Sequence, residues 1–183
     1  MIWRNTPNAY GLVSIVLHWL IAVAIIGLFV LGLWMVDLSY YHEWYTTAPE
    51  IHKSVGILLG IALVLRLLWR LANPRPAFER GMKPWERIGA VTAHWSTYVL
   101  GFVIVASGYL IPTAKGDPIS VFGWFELPAL QLGIANQEDM AGAVHYYAAW
   151  LLIAVATVHA LAALKHHFVN RDRTLTRMLR PGH

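Results

Sequence analysis

Four long apolar stretches place the strongest constraint on how this chain folds. They run over residues 14–36, 51–71, 88–112 and 144–168. Each is long enough to cross a bilayer as a helix, which takes about 20 mostly apolar residues. Only 13% of the residues are charged, against roughly 25% in a soluble domain. The sequence therefore predicts an all-α integral membrane protein, an up-and-down bundle of four helices that forms one domain over residues 1–183.

The basic residues fall almost entirely on one side of these spans. The opposite side carries only Lys53 and Lys115, among most of the acidic residues. Because Lys and Arg concentrate in cytoplasmic loops, we expect both chain termini to be cytoplasmic. We attribute the net charge of +4 to this topology rather than to nucleic-acid binding, and expect a multi-pass protein of the bacterial inner (cytoplasmic) membrane. The residues on the basic side are Arg4, Arg66, Arg70, Arg75, Arg80, Lys83, Arg87, Lys165, Arg171, Arg173, Arg177 and Arg180.

Two further segments bear on this topology. The first span is longer than the apolar core of a signal peptide and no small-residue cleavage site follows it, so we expect it to be retained. The longest outer connection spans residues 113–143. Within it, Val121 to Leu127 contains Phe122, Trp124 and Phe125, which predicts an interfacial element on the outer leaflet or a lid over the bundle.

Histidines within the spans are the main candidates for function. Ionisable residues inside a membrane are costly and usually functional. The predicted topology places His18, His94 and His159 toward the cytoplasmic side, and His52 and His145 toward the outer side. The chain has no cysteine, which excludes thiolate metal sites, cysteine-held iron–sulfur clusters and covalently attached haem. Histidine is therefore the expected ligand of any redox centre.

The spacing on the fourth span points to two stacked cofactors. His145 and His159 are 14 residues apart, which returns a helix to nearly the same face about 21 Å further along its axis. An outer site can pair His52 with His145, and an inner site can pair His159 with either His18 or His94. Two axial imidazoles on a haem iron favour electron transfer over oxygen binding.

Less specific roles also fit these histidines. A single histidine inside a bundle often serves only as a hydrogen-bonding residue between helices. Zinc is disfavoured because no carboxylate or thiolate accompanies the histidines within the spans. Gly56 and Gly60, on the face of His52, leave room for a flat macrocycle, although close helix packing is the commoner reason for such glycines. We expect the remaining histidines to be solvated or to face lipid headgroups, namely His42, His166, His167 and His183.

Several motifs together resemble the bacterial cytochrome b561 family, whose relatives include the cytochrome b subunits of hydrogenases and formate dehydrogenases. The resemblance covers residues 14–181. It rests on His94, Tyr98 and Gly108 in the third span, on His145, and on five longer stretches. These are S-I-V-L-H-W-L at 14–20, I-H-K-S-V-G-I at 51–57, R-L-L-W-R-L-A-N-P-R-P at 66–76, and V-H-A-L-A-A-L-K-H-H-F at 158–168 followed by T-L-T-R-M-L at 174–179.

The resemblance implies two non-covalent b haems. It assigns the inner haem iron to His18 and His159 and the outer haem iron to His52 and His145. It leaves His94 for a quinone pocket, a proton role or a hydrogen bond within the bundle.

The resemblance also implies an enzyme that exchanges electrons with a quinone, in the manner of a superoxide:ubiquinone oxidoreductase. Lys53 and Lys115 are then candidates for attracting the superoxide anion, although Lys53 beside His52 also suits a haem propionate. The alternative is a non-enzymatic cytochrome b subunit that relays electrons for a partner dehydrogenase, docked on the outer loop. A haem-free structural membrane protein is the third hypothesis.

Overall fold

Four long helices dominate the structure, a computed structural model that describes residues 2–79 and 81–181. All four are long and apolar enough to cross a membrane. This confirms the predicted fold class of four membrane-spanning helices. The elements are α1 (Leu12–Met35), α2 (Thr47–Ala72), α3 (Pro84–Thr113), β1 (Ile119–Val121), β2 (Phe125–Leu127), α4 (Gln137–Phe168) and a 3₁₀ turn at Thr176–Met178.

Three of the helices, α2, α3 and α4, begin before the predicted spans because their first turns are polar. The second helix begins at Thr47 rather than near residue 51, and α4 begins at Gln137 rather than near residue 144. In α4, Glu138 and Asp139 occupy the first turn, where negative charge interacts favourably with the helix dipole. Apolarity locates the lipid-crossing part of such a helix but not its polar end.

The start of α3 shows the same effect with a specific cap. Pro84 is the first helical residue, where the missing proline N–H costs nothing. The Glu86 carboxylate accepts a hydrogen bond from the Lys83 backbone N–H at 2.8 Å and another from Lys165 Nζ at 2.5 Å. This cap starts the helix four residues before the predicted span, and it ties that start to the end of α4.

The chain divides into two compact units, and each helix contributes a segment to both. One, the terminal unit, comprises Met1–Ile21, Ala62–Val99 and Leu152–His183. The other, the loop unit, comprises Ala22–Ile61 and Leu100–Leu151. Every Lys and Arg assigned from the sequence to the basic side falls within the ranges of the terminal unit, whereas Lys53 and Lys115 fall in the loop unit. Among the predicted residues, Arg80 and His183 lie outside the part of the chain that is described.

Hydrogen bonds tie the N-terminal arm to the rest of the terminal unit. The Asn5 side chain accepts a hydrogen bond from Ser14 Oγ at 2.7 Å and donates one to the Pro74 carbonyl at 3.2 Å. The Ala77 backbone N–H donates to the Pro7 carbonyl at 2.8 Å. The arm is therefore fixed both to α1 and to the linker that follows α2.

The C-terminal tail is tied to the same linker. Arg177 donates from Nη1 to the Ala77 carbonyl at 2.9 Å and to Glu79 Oε1 at 3.0 Å. The Trp19 indole N–H donates to the Met178 carbonyl at 2.7 Å. The tail therefore packs on the terminal unit through directed polar contacts.

A β-hairpin lies in the outer connection, where the sequence predicts an interfacial element. Its strands pair antiparallel, with Val121 opposite Phe125, so three residues connect them. Phe122 and Gly123 have φ of 50° and 72°, and the Trp124 N–H donates to the Val121 carbonyl at 2.9 Å, which closes a tight turn. Val121 is fully buried, whereas Trp124 at the tip is 73% exposed. Ser54 Oγ of α2 accepts a hydrogen bond from the Phe122 N–H at 3.1 Å, so a single hydroxyl attaches the turn to the helix.

Candidate functional site

Three histidines from three helices meet in the terminal unit. The rings of His18 on α1 and His159 on α4 have centroids 6.3 Å apart, with planes at 76°. The ring of His94 on α3 lies closer to His159, at 5.3 Å. His159 is therefore the shared member of two contacts, as the sequence predicts.

Two histidines meet in the loop unit. His52 on α2 and His145 on α4 have ring centroids 6.1 Å apart and planes at 67°. The structure thus brings together the residues of each pair that the sequence assigns to one haem. Whether these residues bind haem stays a prediction at this point.

The ring separations show which pairs fit one iron. A metal–imidazole nitrogen bond is about 2.0–2.1 Å long, and with about 1.1 Å from nitrogen to ring centre, two imidazoles across one metal have centroids roughly 6.2–6.4 Å apart. The pairs His18–His159 and His52–His145, at 6.3 and 6.1 Å, fit this spacing. The His94–His159 distance of 5.3 Å is too short by about an ångström on the same geometry. The geometry therefore favours His18 over His94 as the partner of His159.

Helix α3 holds the ring of His145 from one side. His145 Nδ1 lies 2.9 Å from the Ile104 carbonyl oxygen and 3.4 Å from Ser107 Oγ. Because a carbonyl only accepts hydrogen bonds, Nδ1 carries the proton and Nε2 keeps its lone pair. A Cβ on Gly108 would lie 2.8 Å from His145 Cε1, so only glycine leaves room for the ring. A fixed tautomer and orientation are what a metal-binding histidine requires.

His52 is confined in a similar way but has a free nitrogen. A Cβ on Gly32 would lie 3.2 Å from His52 Cε1. Within the described part of the chain, the buried Nδ1 atoms of His52 and His94 have no hydrogen-bond partner. Buried polar atoms without partners are rare and often mark a functional site. Both rings are thus suited to a bound ligand that supplies a hydrogen-bond partner for Nδ1.

The glycines on the face of His52 differ from each other. A Cβ on Gly60 would lie 2.8 Å from Val105 Cγ1, whereas a Cβ on Gly56 would meet no atom within 4 Å. Gly60 therefore serves close packing of α2 against α3, which is the ordinary interpretation of such a residue. Only Gly56 faces open space.

Arg66, one of the basic residues that define the predicted topology, also contacts a histidine of the terminal unit. Its Nη2 lies 3.1 Å from His18 Nδ1, and its Nε donates to Tyr98 Oη at 3.1 Å. Tyr98 is 5% exposed. None of the ion pairs between described residues includes Arg66. A basic residue inside an apolar helix was the available signal, but its contact with His18 depends on a residue 48 positions away.

The two lysines proposed from sequence to attract an anion have different surroundings. Lys115 forms an ion pair with Glu138 at 3.0 Å. The hydrogen bond to Glu138, aided by the charges of Asp117 and Asp139, raises the pKa of Lys115. Its field is thus largely cancelled by neighbouring carboxylates. The structure brings neither lysine against the other.

Lys53 lies in an open cavity of about 550 Å³ between the end of α1 and the start of α2. Glu50 also lines this cavity. Among the described residues, no carboxylate forms an ion pair with Lys53. Lys53 follows His52 directly in the chain. It is therefore better placed than Lys115 to present a positive charge beside the loop-unit pair.

A polar cluster at the end of α4 corrects one prediction. His166, expected to be solvated, is 5% exposed, and its Nδ1 lies 2.5 Å from Asp172 Oδ2. Asp172 also accepts a hydrogen bond from the Thr174 N–H at 2.8 Å. Burial alone would raise the pKa of Asp172, but hydrogen bonds from Thr174 and His166 lower it. The tail folds back over His166 and buries it, which helix periodicity did not indicate. His42, by contrast, is exposed as expected, and His167 is half-buried.

Comparisons with known proteins identify the family to which the chain is related. A family model described as prokaryotic cytochrome b561 matches residues 9–181. The chain is 50% identical over 179 residues to "Cytochrome b561 homolog 2" of Escherichia coli (strain K12), covering 98% of this chain and 95% of that protein. It is 30% identical over 175 residues to "Probable superoxide oxidase CybB" of Yersinia pestis, with 93% and 95% coverage. It is 27% identical over 177 residues to "Cytochrome b562" of Cereibacter sphaeroides, with 94% and 96% coverage.

Proposed function

Because the chain belongs to the prokaryotic cytochrome b561 family, a family of membrane cytochromes whose name implies haem b, we propose that it is a dihaem cytochrome. His18 and His159 hold one haem b, and His52 and His145 hold the other. The observation that carries this proposal is the ring separation of each pair, 6.3 and 6.1 Å. His94, at a shorter distance from His159, holds no iron.

A b haem with two imidazole ligands supplies one-electron transfer without an open position for oxygen. The chain contributes the ligands and their orientation. His145 is fixed with Nε2 unprotonated by its bond to Ile104, and its partner His52 approaches from α2. His145 and His159 lie on one continuous helix, α4. That helix therefore carries one ligand of each site.

We propose that the reaction is the oxidation of superoxide with ubiquinone as acceptor. Two superoxide anions each lose one electron and leave as O₂, and one ubiquinone gains both electrons and two protons to become ubiquinol. The name of the Yersinia pestis relative, a probable superoxide oxidase, supports this proposal. Lys53 supports it too, since an accessible cation raises the local concentration of a small anion. Lys115 contributes less because Glu138 neutralises it.

The terminal unit offers groups for the quinone end of the reaction. His94 lies beside His159 with a buried, unpartnered Nδ1 among the described residues, which suits a hydrogen bond to a quinone oxygen. His166, hydrogen-bonded to Asp172, offers a hydrogen-bonded route for a proton. We place both residues on the path of the two protons that ubiquinone takes up.

We further propose that the protein lies in the bacterial inner membrane, as one domain with both termini in the cytoplasm. The terminal unit contains every basic residue except Lys53 and Lys115, and basic loops remain on the cytoplasmic side. The loop unit then faces the periplasm, where Lys53 is accessible to external superoxide. Cysteine introduced at Ser39 should react with an impermeant maleimide from outside intact spheroplasts, and cysteine at the exposed Arg173 only after lysis; the reverse pattern would invert this topology.

The alternative is a cytochrome b subunit that relays electrons for a partner dehydrogenase. One observation favours it: the hairpin tip exposes Phe122, Trp124 and Phe125 by 44%, 73% and 41%, and exposed aromatic clusters often mark contact sites. In that case superoxide would have no special role, and Lys53 would serve only the haem.

A kinetic experiment separates these functions. Purified protein with ubiquinone is supplied with enzymatically generated superoxide, and haem reduction and quinol formation are followed. We expect haem reduction within the mixing time and about one ubiquinol per two superoxide anions, with superoxide dismutase abolishing both. Slow reduction that dismutase does not affect, together with normal reduction by ubiquinol, would reject the oxidase activity and favour the relay subunit. A haem-free preparation would reject both.

A further inference from the structure

The surroundings of the two histidine pairs differ in electrical sign. We infer that Arg66 raises the electron affinity of the His18–His159 site while the Ile104 carbonyl lowers that of the His52–His145 site. The inference rests on the proposed haem ligation. It assigns a direction to the electron path that ligand identity alone does not give.

The loop-unit pair receives electron density from its surroundings. His145 Nδ1 donates a hydrogen bond of 2.9 Å to the Ile104 carbonyl oxygen. A carbonyl acceptor at this nitrogen makes the imidazole a stronger base and a better electron donor to its metal. A more strongly donating ligand stabilises the oxidised metal, so the site binds an electron less tightly.

The terminal-unit pair faces a cation instead. The Arg66 guanidinium lies 3.1 Å from His18 Nδ1, is only partly exposed, and carries a positive charge. It has no acceptor, so it cannot strengthen His18 as a donor in the way that a carbonyl does. A positive charge in a medium of low dielectric constant stabilises an added electron.

Iron binding changes the contact between Arg66 and His18 but not the positive charge that Arg66 places beside this site. In the structure His18 Nδ1 accepts from Arg66, so the ring proton is on Nε2. Coordination through Nε2 moves this proton to Nδ1, which then repels the guanidinium. The Arg66 Nε bond to Tyr98 at 3.1 Å keeps the guanidinium within the terminal unit. No described carboxylate forms an ion pair with it, so its charge remains uncompensated by the protein.

Lys53 is the cation that opposes this asymmetry, since it follows His52. It lies in an open cavity together with Glu50, where water and salt screen its charge. Arg66 is held beside His18 by its bond to Tyr98, and no described carboxylate lies in an ion pair with it, whereas Lys53 shares its open cavity with the Glu50 carboxylate. The effect of Lys53 on the electron affinity of the loop-unit site is therefore smaller than the effect of Arg66 on that of the terminal-unit site.

The asymmetry makes the terminal-unit site the thermodynamic sink for an electron. An electron that enters at His52 and His145 passes downhill to His18 and His159. This direction matches a donor at the loop unit and a quinone at the terminal unit.

The test is a redox titration of the two-haem protein followed by its visible spectrum. The two haem signals are assigned by the loss of one signal in His145→Ala and the other in His18→Ala. We expect the terminal-unit haem to be reduced first. In Arg66→Gln the reduced-to-oxidised ratio of that haem, measured at its wild-type midpoint, should fall about three- to tenfold, where tenfold corresponds to about 59 mV for one electron.

Two further variants separate charge from shape. Arg66→Lys keeps the charge and should stay close to wild type. Arg70→Gln removes a cation one turn further along α2 that stacks on the Trp95 ring at 5.4 Å, and it should change the ratio by less than about twofold because it lacks contact with His18.

Each result bears on the inference separately from the haem proposal. A wild-type protein with two haems in which the loop-unit haem is reduced first would overturn the inference alone. Equal shifts in Arg66→Gln and Arg66→Lys would overturn it as well. If Arg66→Gln retains no terminal-unit haem, the wild-type order and the Arg66→Lys midpoint decide. A wild-type protein with fewer than two haems would instead reject the proposed function.

Discussion

The Gly108→Ala substitution tests how α3 positions His145. The added methyl group would lie 2.8 Å from Cε1 and 3.0 Å from Nδ1 of the His145 ring. Since unstrained carbon contacts lie near 3.5–4.0 Å, the ring must shift by roughly 0.5–1 Å or rotate. Either movement strains the hydrogen bond to Ile104.

The size of the effect follows from these contacts. Overpacking in a tight interior costs about 1–3 kcal/mol, and a lost hydrogen bond contributes about 1 kcal/mol. Most of this cost falls on the conformation that binds haem, because the ring is freer to move when it holds no iron. A penalty of about 1–3 kcal/mol weakens haem binding at the loop-unit site roughly 5- to 150-fold.

The assay is a haem titration of apoprotein in detergent, with the loop-unit haem resolved by its spectrum. Gly27→Ala is the matched control, because Gly27 is exposed on α1 and a Cβ there meets no atom within 4 Å. We expect Gly108→Ala to lose affinity at one site only and Gly27→Ala to lose little. Wild-type affinity and an unchanged spectrum in Gly108→Ala would show that the contact with α3 does not position the His145 ring.

Three further predictions follow from other contacts. Lys53→Gln should slow superoxide-driven haem reduction several-fold at low salt without affecting reduction by ubiquinol, whereas Lys115→Gln should change it by less than about twofold; equal effects would rule out local steering by Lys53. Asp172 has a lowered pKa in the folded chain, so its stabilising contribution is complete above the pKa of the unfolded chain and is lost as pH falls through the folded pKa. Proteolysis of the tail should therefore accelerate on acidification. The tail of Asp172→Asn should be cleaved faster than that of the wild type near neutral pH, and its cleavage should lose this acid dependence. Ser54→Ala removes the hydroxyl that accepts from the Phe122 N–H and should speed amide exchange there by roughly 5- to 10-fold, as expected for a bond worth about 1 kcal/mol; unchanged exchange would show that the hairpin is held by Val121 and Ile119 alone.

The helices and the histidine pairs were predictable because they depend on local patterns. Apolar length defines the spans, and the spacing of His145 and His159 on one helix follows from helical periodicity. Spacing alone left His18 and His94 as equal partners of His159. Choosing between His18 and His94 required the ring distances, which depend on how α1 and α3 pack and not on either helix alone.

The features that were missed depend on tertiary contacts. The hairpin strands have three residues each, too few for a periodic signal, and they are held by Ser54 from another element. The Arg66 contact with His18 joins two helices. His166 is buried because the chain reverses after α4 and returns Asp172 to it.

The count of haem b per chain tests the central claim most directly. It should be measured together with reduced-minus-oxidised spectra of the wild type, His145→Ala, His159→Ala and, as a control, the exposed His42→Ala. The account predicts two haems in the wild type and in His42→Ala, and the loss of a different haem in each of the other variants. One haem in the wild type, or the same haem lost in His145→Ala and His159→Ala, would contradict it.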